Sequence, residues 1–225
     1  MRLSIYSNLK AKYPQETTLD AVVKAIQCSG RIQSLCEERR DLLSKGLINE
    51  AEIIKKKKMP AFCPGSFMFD GKGRANVLGL TNLCFLEADH IDEEQIANVV
   101  KIIKEDSHTV LCYRSVSGDG LHFIIKYEFC NLETPSYKNM GVKRMNHTYG
   151  VVFNTLMTYY QERLEITIDP AGANMERLSL MSADKDIYYN PNAIPFVLEY
   201  KKKDLRRKPL NCKFHIPDIQ NEIEP

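Results

Sequence analysis

The chain has seven cysteines but no CxxC pair and no His/Cys cluster, which argues against a structural zinc site and a disulfide framework. Cys28, Cys84, Cys112 and Cys130 each sit among apolar neighbours and are expected to be free, buried thiols. No segment approaches the roughly 20 apolar residues of a membrane span. The opening MRLSIYSNLKAKY has no apolar stretch for a signal peptide, so a reducing, cytoplasmic setting with no membrane contact is expected. Charge is nearly balanced, with Lys+Arg 31 against Asp+Glu 29, so any nucleic-acid surface must come from local patches. GxSxG, P-loop and GxGxxG motifs are also missing, which disfavours serine hydrolase, Walker-type ATPase and dinucleotide-binding readings.

What is present is a globular chain, 44% hydrophobic over 225 residues, large enough for one sizeable core with an appendage. A first strand is expected at 2–6. Thr17 or Thr18 caps a helix reaching Cys28, a second helix runs over 31–46 to Gly46, and a short third helix ends at Pro60. The first eighty residues therefore read as largely helical, with a glycine-broken hairpin after Pro60. From Leu83 onward the pattern is strand to Asp89, helix from an Asp92 cap supported by Gln95, strand at 109–114, strand at 121–127, and a helix over 143–163. Val151, Val152, Leu156 and Tyr159 or Tyr160 line its inner side. ITID and ERLSLMS supply further strand. The order β-α-β-β-α-β predicts an α+β fold with a ferredoxin-like or RNA-recognition-motif-like (RRM-like) core, an antiparallel sheet carrying two helices on one face. The expected domains are 1–80, a helical and hairpin module packed on the core; 81–200, the sheet core; and 201–225, a tail opening with the basic run KKKDLRRK.

Two short stretches carry chemistry. In LCFLEADHID, Glu87 and Asp89 end an apolar run at i and i+2, a strand spacing that turns both carboxylates to one face roughly 7 Å apart, within common reach of a divalent cation. The alternative is a solvent-exposed turn with Glu87 paired to a lysine. In RSVSGDGLH, Ser117, Gly118 and Gly120 shape a turn whose N–H groups can face an anion, with His122 one residue into the next strand. An ordinary hairpin would use the same residues. Asp169 ends ITID before Pro170 and could supply a third carboxylate or simply open a turn. Arg177, among apolar neighbours, wants a carboxylate or phosphate partner. The lysines at 55–58 form either a solvated helix end favoured by the macrodipole or a phosphate patch. His108, His147 and His215 lack ligand spacing.

Four pieces in order, KKMPAFCPGSF, LCFLEADHID, RSVSGDGLH and ERLSLMSADKDIYYNPNA, resemble the VirE N-terminal domain family of bacterial mobile-element proteins, a divergent branch of the primase-polymerase, or archaeo-eukaryotic primase, superfamily. The resemblance covers about residues 55–196. It implies a primase-polymerase-like fold in which Glu87, Asp89 and Asp169 hold Mg²⁺ or Mn²⁺ and form the catalytic set. It also implies that Ser117, Gly118, Gly120, His122 and Arg177 bind a nucleoside triphosphate. Position 87 is glutamate where the pattern favours aspartate, a difference that lengthens the side chain by one methylene.

The expected function is a domain of a mobile-element replication or mobilisation protein that binds nucleotide and single-stranded or primed DNA through divalent metal, with nucleotidyl transfer left open. The rival is a non-catalytic module on the same fold, using Lys57, Lys58, Arg114, Lys126 and Arg177 for nucleic acid or for docking a helicase-type partner.

Overall fold

The computed structural model describes residues 1–136 and 138–200; the expected basic tail lies outside them. In chain order the strands are β1 (Arg2–Tyr6), β2 (Gln15–Thr18), β3 (Ala61–Cys63), β4 (Ser66–Met68), β5 (Val77–Leu80), β6 (Leu83–Ala88), β7 (Thr109–Arg114), β8 (Leu121–Phe129), β9 (Ser179–Leu180), β10 (Tyr188–Tyr189) and β11 (Phe196–Leu198). The helices are α1 (Leu19–Cys28), α2 (Gly30–Ser44), α3 (Ile48–Lys57), α4 (Glu93–Glu105) and α5 (Val142–Leu164). Among the described residues no helix is long and apolar enough to cross a membrane.

The architecture is a mixed α and β one, built mainly on antiparallel sheets. In the larger sheet β8 is central: β6 and β7 pair antiparallel to its two edges, β10 extends the β7 side, and β11 runs parallel to its far half. Strands β6, β8 and β7 thus stand in the order 1-3-2 of the expected split unit, with α4 and α5 on one face. Each of those helices has a local cause. The Asp92 carboxylate accepts from the Gln95 N–H at 2.8 Å, and an apolar stripe of Ile96, Val99 and Ile103 turns inward. Gln95 does not return the bond as a full capping box would; its amide reaches the Glu165 carbonyl instead. On α5 the inner side carries Val152, Phe153, Leu156 and Tyr160, while Val151 and Tyr159 are only half-buried.

The fourth strand of that unit is not formed. ITID runs past the free edge of β6 with one backbone bond there, Asp169 N–H to the Glu87 carbonyl at 2.8 Å. Only four residues separate Glu165, left-handed at φ 53°, from Pro170, which opens a 3-10 turn over Pro170–Ala173. A proline there removes the donor that a ladder would need next.

The stretch ERLSLMS also departs from expectation. Only Ser179–Leu180 is strand, and it pairs with β3, Ala61 opposite Leu180 and Phe62 opposite Ser179. The second sheet therefore has the order β2-β1-β3-β9, drawing strands from both ends of the chain. With α1 and α2 it covers the other face of the large sheet, where Leu3, Phe62 and Leu180 share a core with Phe85, Leu111 and Ile124. The first eighty residues are thus helix and sheet together, with five strands among three helices. Of the cysteines expected inside, Cys84 and Cys112 are buried, whereas Cys28 and Cys130 are exposed.

Candidate functional site

Register places the site. Across the large sheet Glu87 stands opposite His122, and His122 opposite Tyr113. Period-two alternation turns this row away from α4 and α5, toward β9. There Ser179 closes a buried polar group: His122 Nδ1 lies 3.1 Å from the Ser179 hydroxyl and 3.2 Å from the Tyr113 hydroxyl, and those two hydroxyls are 2.5 Å apart. Tyr113 can also donate to the Leu180 carbonyl at 3.1 Å. Phe85 meets the imidazole edge-on, with 5.3 Å between ring centroids.

Glu87 is 6% exposed, and a carboxylate so placed needs a partner. The partner is Arg177, whose guanidinium bonds the Glu87 carboxylate and also lies 3.3 Å from the Asp169 carboxylate. Asp169 further accepts from the Ala171 N–H at 2.9 Å, so it opens the 3-10 turn and flanks the arginine at once. Burial pushes the Glu87 carboxyl up to about 7, with Arg177 pulling it down and Asp169 and Asp89 adding to the rise. His122 is driven the other way, to about 3, by burial and by the positive charges of Arg177 and Lys55. Its Nε2 stands 3.7 Å from Glu87, so at neutral pH a neutral imidazole faces the acid.

Asp89 follows the end of β6 and is exposed, lying against the glycine turn. A Cβ on Gly120 would meet the Ala88 carbonyl at 2.6 Å and the Asp89 carboxylate at 2.8 Å, so only glycine lets the turn approach β6 this closely. The turn itself is held from α2. Arg39 Nη1 donates to the Ser117 hydroxyl at 3.3 Å, and Arg40 Nε to the Val116 carbonyl at 3.1 Å.

The structure brings Glu87, Asp169, Arg177 and His122 together, with Asp89, Ser117, Gly118 and Gly120 at the adjoining turn. Among the described residues no three His, Cys, Asp or Glu side chains stand in a metal-holding group. Arg177 already lies between Glu87 and Asp169, so this arrangement fits a divalent cation only with the guanidinium moved away. The basic residues considered for nucleic acid do not gather. Arg114 is paired with Glu93 at the Leu121 end of β8, and Lys126, near the other end, donates to the Ala193 carbonyl at 3.0 Å. Lys58 pairs with Glu38 at 3.2 Å and Lys57 is exposed, both at the close of α3. Sequence reasoning missed Tyr113, Ser179, Arg39 and Arg40. Arg39 did carry a signal, since it falls on the same helical stripe as Ile32, Leu35 and Cys36, where an arginine is out of place unless it has a task.

Neither the curated proteins nor the solved structures include a match to this chain. One family model does match, the BT4734-like, N-terminal domain, over residues 54–189, from within α3 to the end of β10. This overturns the VirE N-terminal domain family suggested by the four quoted pieces. The match spans more than half of the 225 residues, and the chain belongs to the BT4734-like N-terminal domain family.

Proposed function

We propose that the chain binds nucleotide and nucleic acid through their phosphates at the Glu87–Asp169–Arg177 cluster, with Mg²⁺ or Mn²⁺ as an alternative counter-ion for the two carboxylates. One observation carries this reading: a buried carboxylate, a second carboxylate and an arginine from three separate segments meet beside a glycine turn. Release of Arg177 from Glu87 and Asp169 would leave the carboxylates to a divalent cation and the guanidinium fork to a phosphate oxygen, which it matches in geometry. Bound metal would supply Lewis-acid polarisation of the phosphoryl group, the chemistry that nucleotidyl transfer requires. His122, neutral and held at Nδ1 by Tyr113 and Ser179, turns Nε2 toward Glu87, and Ser117, Gly118 and Gly120 lie in the adjoining turn.

A second reading, a non-catalytic module for nucleic acid or a helicase-type partner, is favoured by Arg177 itself. The guanidinium gives both acids a cationic partner from within the chain.

Thermal unfolding with a nucleoside triphosphate, in the presence and absence of Mg²⁺ or Mn²⁺, separates the two. The first reading expects a rise in Tm that needs metal and triphosphate together and is lost in Asp169→Asn. Binding of single-stranded DNA at low salt with no metal-dependent rise selects the second. No rise under any condition at low salt, with no binding of single-stranded DNA, overturns both.

A further inference from the structure

Arg39 is the most unusual charged side chain outside the cluster. It is 6% exposed, so its charge has been taken out of water at a substantial cost. Its return is small. The nearest carboxylate, Glu52, is 3.9 Å away and is itself taken by Lys56 at 2.9 Å. Nη1 reaches Ser117 at 3.3 Å, and among the described residues Nε has no partner. A guanidinium carries five N–H donors, and most of this one's capacity is unspent.

It faces the glycine turn. The carbonyls of Ser115, Val116, Gly118, Asp119 and Gly120 are all occupied, by the Gly118 N–H, Arg40, Arg114, the Ile91 N–H and the Ser115 N–H respectively. These bonds fix the shape of the turn, a glycine-containing backbone of the kind that can present N–H groups to an anion. The Ser115 hydroxyl, 3% exposed, is likewise without a partner among the described residues. Lys55 of α3 adds positive charge near His122.

We propose that Arg39 is a further phosphate-binding residue, completing from α2 the glycine-turn end of the site and taking the phosphate chain of a nucleoside triphosphate. This rests on the phosphate-binding reading above but adds a residue outside residues 54–189, the span shared with the family. Arg39 and Ser117 form one wall of the subsite, and Arg40 holds the turn in place behind them.

The test is titration of the whole chain with a fluorescent nucleoside triphosphate at low salt, with and without Mg²⁺, and with inorganic tripolyphosphate as competitor. Arg39→Gln should weaken binding about tenfold or more, the usual worth of a charged hydrogen bond. Glu52→Gln, which removes the one carboxylate competing for Arg39 among the described residues, should tighten it several-fold. Displacement of the nucleotide by tripolyphosphate is expected, because the subsite reads phosphate and not base. If the wild type binds neither probe, the phosphate-binding reading fails and this inference with it. If the wild type binds but Arg39→Gln and Glu52→Gln leave affinity unchanged, the inference alone is overturned. Should Arg39→Gln fail to fold, Glu52→Gln decides, since it retains the arginine and a purely structural Arg39 would give no tightening.

Discussion

The two faces of the β6-β8-β7 sheet are built from alternate residues of the same strands, yet they are used differently. On the helix face Cys84, Leu86, Cys112, Phe123 and Ile125 meet Phe153, Leu156 and Tyr160 in an apolar core. On the opposite face Leu83, Phe85, Leu111 and Ile124 are equally buried, until the single row Glu87–His122–Tyr113 interrupts them. The difference separates apolar packing from the polar row. The helix face and most of the second face hold the fold, and one polar row at the end of the sheet is the part that stability alone would not select.

Three measurements can break or sharpen that contrast. Phe153→Ala on the helix face should be the most damaging, costing about 3–5 kcal/mol in denaturant unfolding through lost burial and a residual cavity; a loss below about 1 kcal/mol would mean the helix face is not the main core. Next is the pH dependence of the polar row. The Glu87 pKa is raised in the fold, so its contribution is complete below its unfolded value near 4.5 and is lost as pH rises through about 7. The His122 pKa is lowered from 6.5 to about 3, so its contribution is present above 6.5 and is lost as pH falls toward 3. Glu87→Gln should therefore remove only the decline between pH 4.5 and 7, a difference of at most about 3 kcal/mol against the wild type; parallel pH profiles would show that Glu87 does not titrate as its burial demands. The smallest effect belongs to Tyr113→Phe, which strips the hydroxyl shared by His122 and Ser179. It should cost about 1–2 kcal/mol and lift the tautomer constraint on the imidazole, which NMR of His122 would record as a changed nitrogen shift.

Much of this was legible in the sequence where the physics is local. Thr18 and Asp92 cap α1 and α4 because short polar side chains satisfy free N–H groups there. The apolar run ending in Glu87 and the alternation after Gly120 mark β6 and β8. Legibility ended where elements are too short to carry a period. β9 and β10 have two residues each, and nothing local says that Ser179–Leu180 will join β3 and not β6. The candidate site follows the same division. Glu87, Asp169, Arg177 and His122 stand out by residue type, and so does the likelihood of an anionic partner for Arg177. That its partners are these two carboxylates depends on the route of the chain around Pro170, which only the fold supplies.

The pairing of β1 with β3 bears on how the chain can be divided. Ser4, Ile5 and Tyr6 stand opposite Cys63, Phe62 and Ala61, so a strand ahead of residues 54–189 seals one edge of a strand within them. A fragment cut at the family boundary would bare that edge along Ala61–Cys63, three wholly buried residues, and leave the backbone groups that face β1 unpaired, the kind of surface through which separate molecules adhere to one another. The family boundary thus falls inside a sheet, with β1 on one side of it and its partner β3 on the other.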